Sequence, residues 1–212
     1  QDPIQSRSYF ADDGSWGLGM TRYGSPVIAI INEHLAPLLV GESCTAIDTT
    51  WDMMQAMTSP YAGGLASYAI SAVDLALWDL KGKLLGKPVY ELLGGPARAD
   101  IACYATGNDT DWILELGFQS TKIACPHGPA DGEKGMDANE ALVQQTRVLI
   151  GKERDLMVDC WMAFDVDYAV AYAGRMAAYD LRWIEDCLMP DDLDGVRTLR
   201  ERLPRHGLAG GE

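Results

Sequence analysis

The second half of the chain alternates short apolar runs with segments of helical periodicity. From about residue 98, apolar runs predict five buried strands, at 101–105, 121–125, 156–160, 181–185 and 208–212. Between the later strands, apolar residues recur at three- and four-residue intervals, as on one face of a helix. Nearly continuous apolar runs indicate parallel strands that are buried on both faces. No Gly-x-Gly-x-x-Gly fingerprint follows a strand, so the pattern favours a β/α barrel over a dinucleotide-binding sheet.

The first hundred residues follow a different pattern, that of a small α+β unit. Asp13 and Gly14 are turn residues that predict a β-hairpin. Helical segments are predicted at about 26–40, 46–57 and 65–86. The last segment has the clearest apolar stripe, made of Ile70, Val73, Leu77, Leu80 and Leu84.

The two patterns together predict an α/β protein of two domains. Glycines and prolines between residues 86 and 96 mark the junction between them. We expect an N-terminal α+β domain at 1–97 and a TIM-like β/α barrel at 98–212, of which about the first five strands are present.

Composition and charge narrow the class of protein. Hydrophobic residues make up 48% of the chain and charged residues 23%, as in soluble globular proteins. The 17 Lys and Arg against 31 Asp and Glu give a net charge of -14, which argues against nucleic acid or an anionic membrane as a partner. The sequence has no apolar run long enough for a membrane span and no Cys-x-x-Cys pair. We therefore expect a cytoplasmic protein with reduced thiols.

Three carboxylates lie at the carboxyl ends of successive predicted strands of the barrel segment. Asp159, Glu185 and Glu212 lie at strand ends, about one strand–helix unit apart. Ligands of parallel β/α proteins bind at this edge, where three carboxylates would repel one another unless a divalent cation held them. Oxygen ligands favour Mg²⁺ or Mn²⁺ over zinc. The alternative is three solvated loop residues, but the shared position and regular spacing favour a metal site.

Three further residues are candidates for substrate contact. Lys122 lies inside the second predicted strand, where its ammonium needs an anionic or wet surrounding. It could act as a general acid or base, bind a substrate carboxylate, or only extend to the solvated rim. His127 lies in the loop after this strand, and Trp161 lies two residues after Asp159. Each could line a substrate pocket, or have only an ordinary structural place in the protein.

Several segments resemble the mandelate racemase subgroup of the enolase superfamily. They are AVDLALWDL (72–80), GKPVYELLGG (86–95), YATG (104–107), PHGPADG (126–132), MVDCWM (157–162), WIEDC (183–187) and GGE (210–212). The first two resemble the end of that family's capping domain, and the last three resemble its metal-ligand strands. The remaining two favour the rhamnonate-type acid-sugar dehydratases.

The resemblance implies a capping domain, a TIM-like barrel and a catalytic metal. Asp159, Glu185 and Glu212 would be the Mg²⁺ ligands, Lys122 a catalytic residue, and His127 and Trp161 substrate contacts. The implied reaction is that of a lyase, which removes the α-proton of a sugar acid and eliminates its 3-hydroxyl to give a 2-keto-3-deoxy acid. Two alternatives remain. The protein could be a racemase or cycloisomerase of the same superfamily, or a metal-binding homologue without catalytic activity.

Two features of the chain depart from the family pattern. Racemase-type members have Lys-x-Lys on the second strand, whereas Ser120 stands here in place of the first lysine. A complete barrel takes about 250 residues, so we expect a fragment of a longer enzyme. The family's His–Asp dyad, which includes the main base, would then lie beyond Glu212. The resemblance further implies a small-molecule sugar-acid substrate and a homo-oligomer.

Overall fold

The computed structural model describes residues 5–58 and 63–211. The chain divides into two compact units, Gln1–Asp100 and Ile101–Glu212. The boundary predicted after residue 97 lies close to this division, which follows Asp100. Within the described ranges, no helix has both the length and the apolar character needed to cross a membrane.

The first unit consists of a β-hairpin and helices. Strand β1 (Gln5–Phe10) pairs antiparallel with β2 (Trp16–Thr21), across the turn predicted at Asp13 and Gly14. The helices are α1 (Gly24–Ala29), a π-helical segment (Ile30–Leu35), α2 (Ala36–Leu39), α3 (Ile47–Thr58), α4 (Leu65–Leu85) and α5 (Val89–Leu92).

Helix α4 supplies much of the core of the first unit. Of its predicted stripe, the four residues from Ile70 to Leu80 are buried, whereas Leu84 is 38% exposed. The helix ends at Gly86, whose φ of 62° lies in the left-handed region that glycine adopts without strain. The N–H of Lys87 then donates to the carbonyl of Gly82 at 2.9 Å, which satisfies one of the last free carbonyls of the helix.

The second unit is a parallel sheet with the strand order β3-β4-β5-β6-β7. The strands are β3 (Ala105–Thr106), β4 (Ser120–Ala124), β5 (Asp155–Asp159), β6 (Leu181–Glu185) and β7 (Leu208–Ala209). The helices between them are α6 (Thr110–Glu115), α7 (Gly132–Ile150), α8 (Val166–Met176) and α9 (Leu193–Arg202). Five sequentially ordered parallel strands confirm the α/β class and the first part of the predicted barrel.

The two outer strands are shorter than predicted. Strand β3 begins at Ala105 rather than at residue 101, and β7 ends at Ala209. Among the described residues each of them pairs with one neighbour only, through two residue pairs. Hydrogen-bonded pairing, rather than apolar character, therefore limits their length.

The two faces of the sheet have different surroundings. Ile123, Leu156, Val158 and Ile184 point into the core formed with α7, α8 and α9. The opposite face carries the residues that follow or precede them in each strand, which are polar or aromatic except for the buried Met157: Lys122, Met157, Asp159, Trp183 and Glu185.

A β-bulge places the last two of these residues on that face. Leu156 pairs with Leu181, but the next residue, Met157, pairs with Trp183. Arg182 is therefore an extra residue in β6, and one extra residue reverses the alternation of side chains along a strand. If the side chains instead alternated regularly from Leu181 onward, Glu185 would point toward the helices.

Candidate metal site

The ammonium of Lys122 lies between two carboxylates at the carboxyl ends of β5 and β6. Its Nζ is 3.0 Å from Oδ2 of Asp159 and donates a hydrogen bond to Oε1 of Glu185. Lys122 is 7% exposed. The structure thus brings together three of the residues that the sequence selected.

The register of the parallel strands explains this arrangement. Ala124 pairs with Asp159, and Asp159 pairs with Glu185, so both carboxylates lie in one layer at the strand ends. Lys122 lies two residues earlier in β4, in the layer below. Since strand side chains lean along the strand direction, its long side chain can extend to the carboxylates.

The surroundings of Lys122 act on its pKa in opposite directions. Burial lowers the pKa, because it removes water from the ammonium. The hydrogen bonds and charges of Glu185 and Asp159 raise it and outweigh burial, so the net shift is upward. Lys122 is therefore an ammonium at neutral pH, a cation that can bind an anion.

The other oxygens of the two carboxylates also have partners. The indole Nε1 of Trp183 donates to Oε2 of Glu185 at 2.7 Å. The backbone N–H of Trp161 donates to Oδ1 of Asp159 at 3.0 Å. These two hydrogen bonds fix the direction in which each carboxylate points.

Tyr104 completes an aromatic wall beside the ammonium. Its ring packs edge-on against Trp183, with 5.5 Å between centroids. The Nζ of Lys122 lies 5.8 Å from the centroid of the Tyr104 ring. Sequence reasoning did not single out Trp183, although its position two residues before Glu185 places both on the same face of a strand.

A third carboxylate, that of Asp186, lies beside the first two. One oxygen each of Asp159, Glu185 and Asp186 lies within 4.8 Å of the others. Such an all-oxygen donor set fits Mg²⁺. Sequence reasoning missed Asp186, although two consecutive acidic residues at a strand end were a visible signal. Glu212, the third predicted ligand, lies outside the described residues.

His127 lies in the loop between β4 and α7. Its backbone is hydrogen-bonded to the buried side chain of Asn139. Its N–H donates to Oδ1 of Asn139 at 3.2 Å, and its carbonyl accepts from Nδ2 of Asn139 at 2.9 Å. Its imidazole Nδ1 is 3.4 Å from Oδ2 of Asp131. Contact of His127 with a substrate stays a prediction.

Trp161 lies in the loop that follows β5, and the residue is 76% exposed. Both Trp161 and Met162 have left-handed backbone conformations, with φ of 45° and 61°. Such conformations are strained for residues other than glycine, and strain of this kind is concentrated at functional sites. The role of the indole as a pocket wall stays a prediction.

Comparison with known proteins assigns both halves of the chain to one family. Residues 10–94 match the N-terminal domain of the mandelate racemase / muconate lactonizing enzyme family. Residues 109–212 match the enolase C-terminal domain-like family model. An L-rhamnonate dehydratase of Saccharopolyspora erythraea is 47% identical over 195 residues, an alignment that covers 92% of this chain and 50% of the relative. The chain thus spans about half the length of this curated relative.

Solved structures give the same result. A rhamnonate dehydratase from Gibberella zeae, complexed with Mg, is 30% identical with a TM-score of 0.93, covering 100% of this chain and 52% of the other. A racemase from Streptomyces coelicolor with bound magnesium is 32% identical with a TM-score of 0.89, covering 99% of this chain and 61% of the other.

Proposed function

Because the chain belongs to the mandelate racemase and muconate lactonizing enzyme family of the enolase superfamily, we propose that it is part of a Mg²⁺-dependent sugar-acid dehydratase. The observation that carries the proposal is the carboxylate cluster at the ends of β5 and β6, with the Lys122 ammonium inside it. The similarity to L-rhamnonate dehydratases supports L-rhamnonate or a related aldonic acid as the substrate.

Asp159 and Glu185 would hold the metal, with Glu212 as the third ligand that the sequence predicts. When bound, Mg²⁺ would neutralise the substrate carboxylate and stabilise the negative charge that loss of the α-proton leaves there. Trp183 and the backbone of Trp161 would keep the two carboxylates oriented, because each donates to the carboxylate oxygen that Lys122 does not contact.

Dehydration breaks two bonds of the sugar acid. The C2–H bond gives its proton to a base, and the C3–O bond releases the hydroxyl, which leaves as water once it has gained a proton. The resulting enol becomes the 2-keto-3-deoxy acid by proton transfer to C3. Lys122, an ammonium beside the carboxylates, would donate the proton to the leaving hydroxyl or bind the substrate carboxylate.

A screen of the full-length enzyme, of which this chain is a part, against a panel of aldonic acids with Mg²⁺ tests this proposal. We expect a 2-keto-3-deoxy acid, detected as its semicarbazone, from L-rhamnonate or a close relative. Asp159→Asn should lower turnover by about a hundredfold or more, since it removes a charged metal ligand. Glu153→Gln, at an exposed residue two positions before the same strand, is the control for loss of a carboxylate and should retain turnover. No keto acid from any member of the panel would refute the dehydratase proposal.

A racemase is the second candidate, supported by the similarity to a magnesium-bound racemase. It predicts exchange of the C2 proton with deuterated solvent without loss of the 3-hydroxyl. Ser120, in place of a second lysine on β4, speaks against two bases on that strand. Deuterium at C2 in recovered substrate, with no keto acid formed, would decide for the racemase.

A further inference from the structure

We propose that Asp186 is a positioning residue that joins the ends of the three strands on which the metal ligands are predicted. The inference rests on the proposed function in one respect only: an effect of Asp186 on catalytic turnover presupposes that the protein is a dehydratase. The effect of Asp186 on metal binding can be measured separately.

The backbone of Asp186 connects two neighbouring strand ends to β6. Its N–H donates to the carbonyl of Ala209, the last residue of β7, at 3.0 Å. Its carbonyl accepts from the N–H of Met162, in the loop after β5, at 2.6 Å. A single residue thus links the segment after Asp159 with the end of β7.

The side chain of Asp186 extends the same connection beyond β7. Its Oδ1 accepts from the N–H of Gly211 at 3.2 Å. A Cβ atom at Gly210 would lie 3.2 Å from this oxygen, so the glycine lets the carboxylate approach closely. Gly211 directly precedes Glu212, and Asp186 is only 8% exposed. The carboxylate therefore fixes the backbone of Gly211, the residue that precedes the third predicted ligand in the sequence.

The conformation of Asp186 explains how consecutive acidic residues can serve one site. Adjacent residues of a strand point to opposite faces, so regular alternation would direct Asp186 away from Glu185. Asp186 instead has a φ of 46°, in the left-handed region. Among residues with a side chain, Asp and Asn tolerate this region best. This turn brings an oxygen of Asp186 within 4.8 Å of the ligand oxygens.

Two substitutions separate positioning from direct ligation of the metal. Asp186→Asn keeps an oxygen that can accept from Gly211 and keeps the tolerance for positive φ, but it removes the charge. Asp186→Ala removes the acceptor as well. Positioning requires only the acceptor, whereas a direct ligand to a divalent cation loses much of its affinity with its charge, because ligand charge sets how tightly such a site binds.

The experiment titrates the wild-type protein and both variants with Mn²⁺ alone and follows free Mn²⁺ by electron paramagnetic resonance. We expect Asp186→Ala to raise the dissociation constant about tenfold or more, as loss of a group that orients metal ligands does. Asp186→Asn should recover most of that affinity, to within about threefold of wild type.

Asp180→Ala is the matched control, because Asp180 has a φ of 51° and precedes the opposite end of β6. It imposes the same backbone strain and should leave Mn²⁺ affinity unchanged. Equal weakening by Asp186→Asn and Asp186→Ala would overturn the inference in favour of a ligand role. Unchanged affinity in Asp186→Ala would also overturn it. If the wild type forms no keto acid while the Mn²⁺ pattern holds, the proposed function fails and the positioning role stands.

Discussion

At the scale of single residues, the most consequential contact is that of Lys122 with Asp159 and Glu185. A buried ammonium with two carboxylates is stable only as a set, since removal of one member leaves the others unpaired in a place with little water. The carboxylates are about a fifth exposed, at 22% and 19%. This exposure leaves room for a cation or a substrate to approach from the open side.

Lys122→Met should destabilise the metal-free protein by about 3 kcal/mol, the lower end of the cost of breaking a buried ion pair. The two carboxylates would then repel each other without a counter-charge. Excess Mg²⁺ should restore much of the loss, because it supplies that charge. Urea unfolding in EDTA and in Mg²⁺ measures both effects. Lys152→Met, at an exposed lysine, is the control, and equal stability of the two variants in EDTA would contradict the prediction.

Trp183→Phe tests whether the indole N–H orients Glu185. Phenylalanine keeps an aromatic ring against Tyr104 but cannot donate to Oε2 of Glu185. We expect Mn²⁺ affinity to fall about tenfold, with a loss of stability of about 1 kcal/mol. Isothermal titration calorimetry measures the affinity. Trp112→Phe, at a tryptophan that is 58% exposed, should change neither quantity, and a Trp183 variant that binds Mn²⁺ like wild type would exclude the orienting role.

At the scale of secondary-structure elements, apolar periodicity predicted the inner strands closely. The segments 121–125, 156–160 and 181–185 were predicted, and β4, β5 and β6 occupy 120–124, 155–159 and 181–185. Three consecutive residues are buried in β4 and in β5, as expected of strands that are covered on both faces, whereas only Ile184 is buried in β6. The outer strands were predicted too long, because their extent depends on pairing that apolar character does not report.

The same reasoning explains which site residues could be predicted. Asp159 and Glu185 follow from the rule that parallel strands present ligands at their carboxyl ends. The pair of consecutive acidic residues pointed to Asp186, but alternation alone could not place it, since regular alternation directs it to the other face and its left-handed backbone brings it to the carboxylates. The bulge at Arg182 is equally absent from the hydrophobic pattern, although it decides which face Glu185 takes.

The packing of β2 on α4 gives a prediction at this scale. A Cβ atom at Gly19 would lie 1.8 Å from the carbonyl oxygen of Ala72, so strand and helix backbones are in direct contact. Gly19→Ala should therefore push the hairpin from the helix and cost about 3 kcal/mol in the free energy of unfolding. Thermal or urea unfolding measures this loss.

Gly174→Ala in α8 is the control for that substitution. A Cβ atom there meets nothing within 4 Å, and alanine favours a helix over glycine by about 0.5–1 kcal/mol. The control should therefore be slightly more stable than wild type. A Gly19→Ala protein as stable as wild type would show that the hairpin does not depend on this close approach.

At the scale of the whole molecule, a net charge of -14 surrounds a site that is proposed to bind both a cation and an anion. The general field attracts Mg²⁺ and repels a sugar acid, whereas Lys122 and a bound metal attract the acid at short range. Salt separates these contributions, because the screening length falls from about 30 Å at 0.01 M to about 8 Å at 0.15 M ionic strength. Lys122 and a bound metal would lie closer to the substrate than about 8 Å, so salt should weaken their attraction less than it weakens the field of the distant charges.

Raising KCl between these two concentrations should therefore change the two affinities in opposite directions. We expect Mn²⁺ to bind about threefold more weakly, and L-rhamnonate to bind about threefold more tightly at saturating Mn²⁺, both measured by calorimetry. Sucrose at matched osmolarity controls for effects other than screening. If both affinities fall with salt, short-range attraction by the metal and Lys122 governs sugar-acid binding. The repulsion that the acidic surface exerts on the sugar acid is then weaker than this attraction, since screening of the repulsion alone would strengthen the binding of an anion.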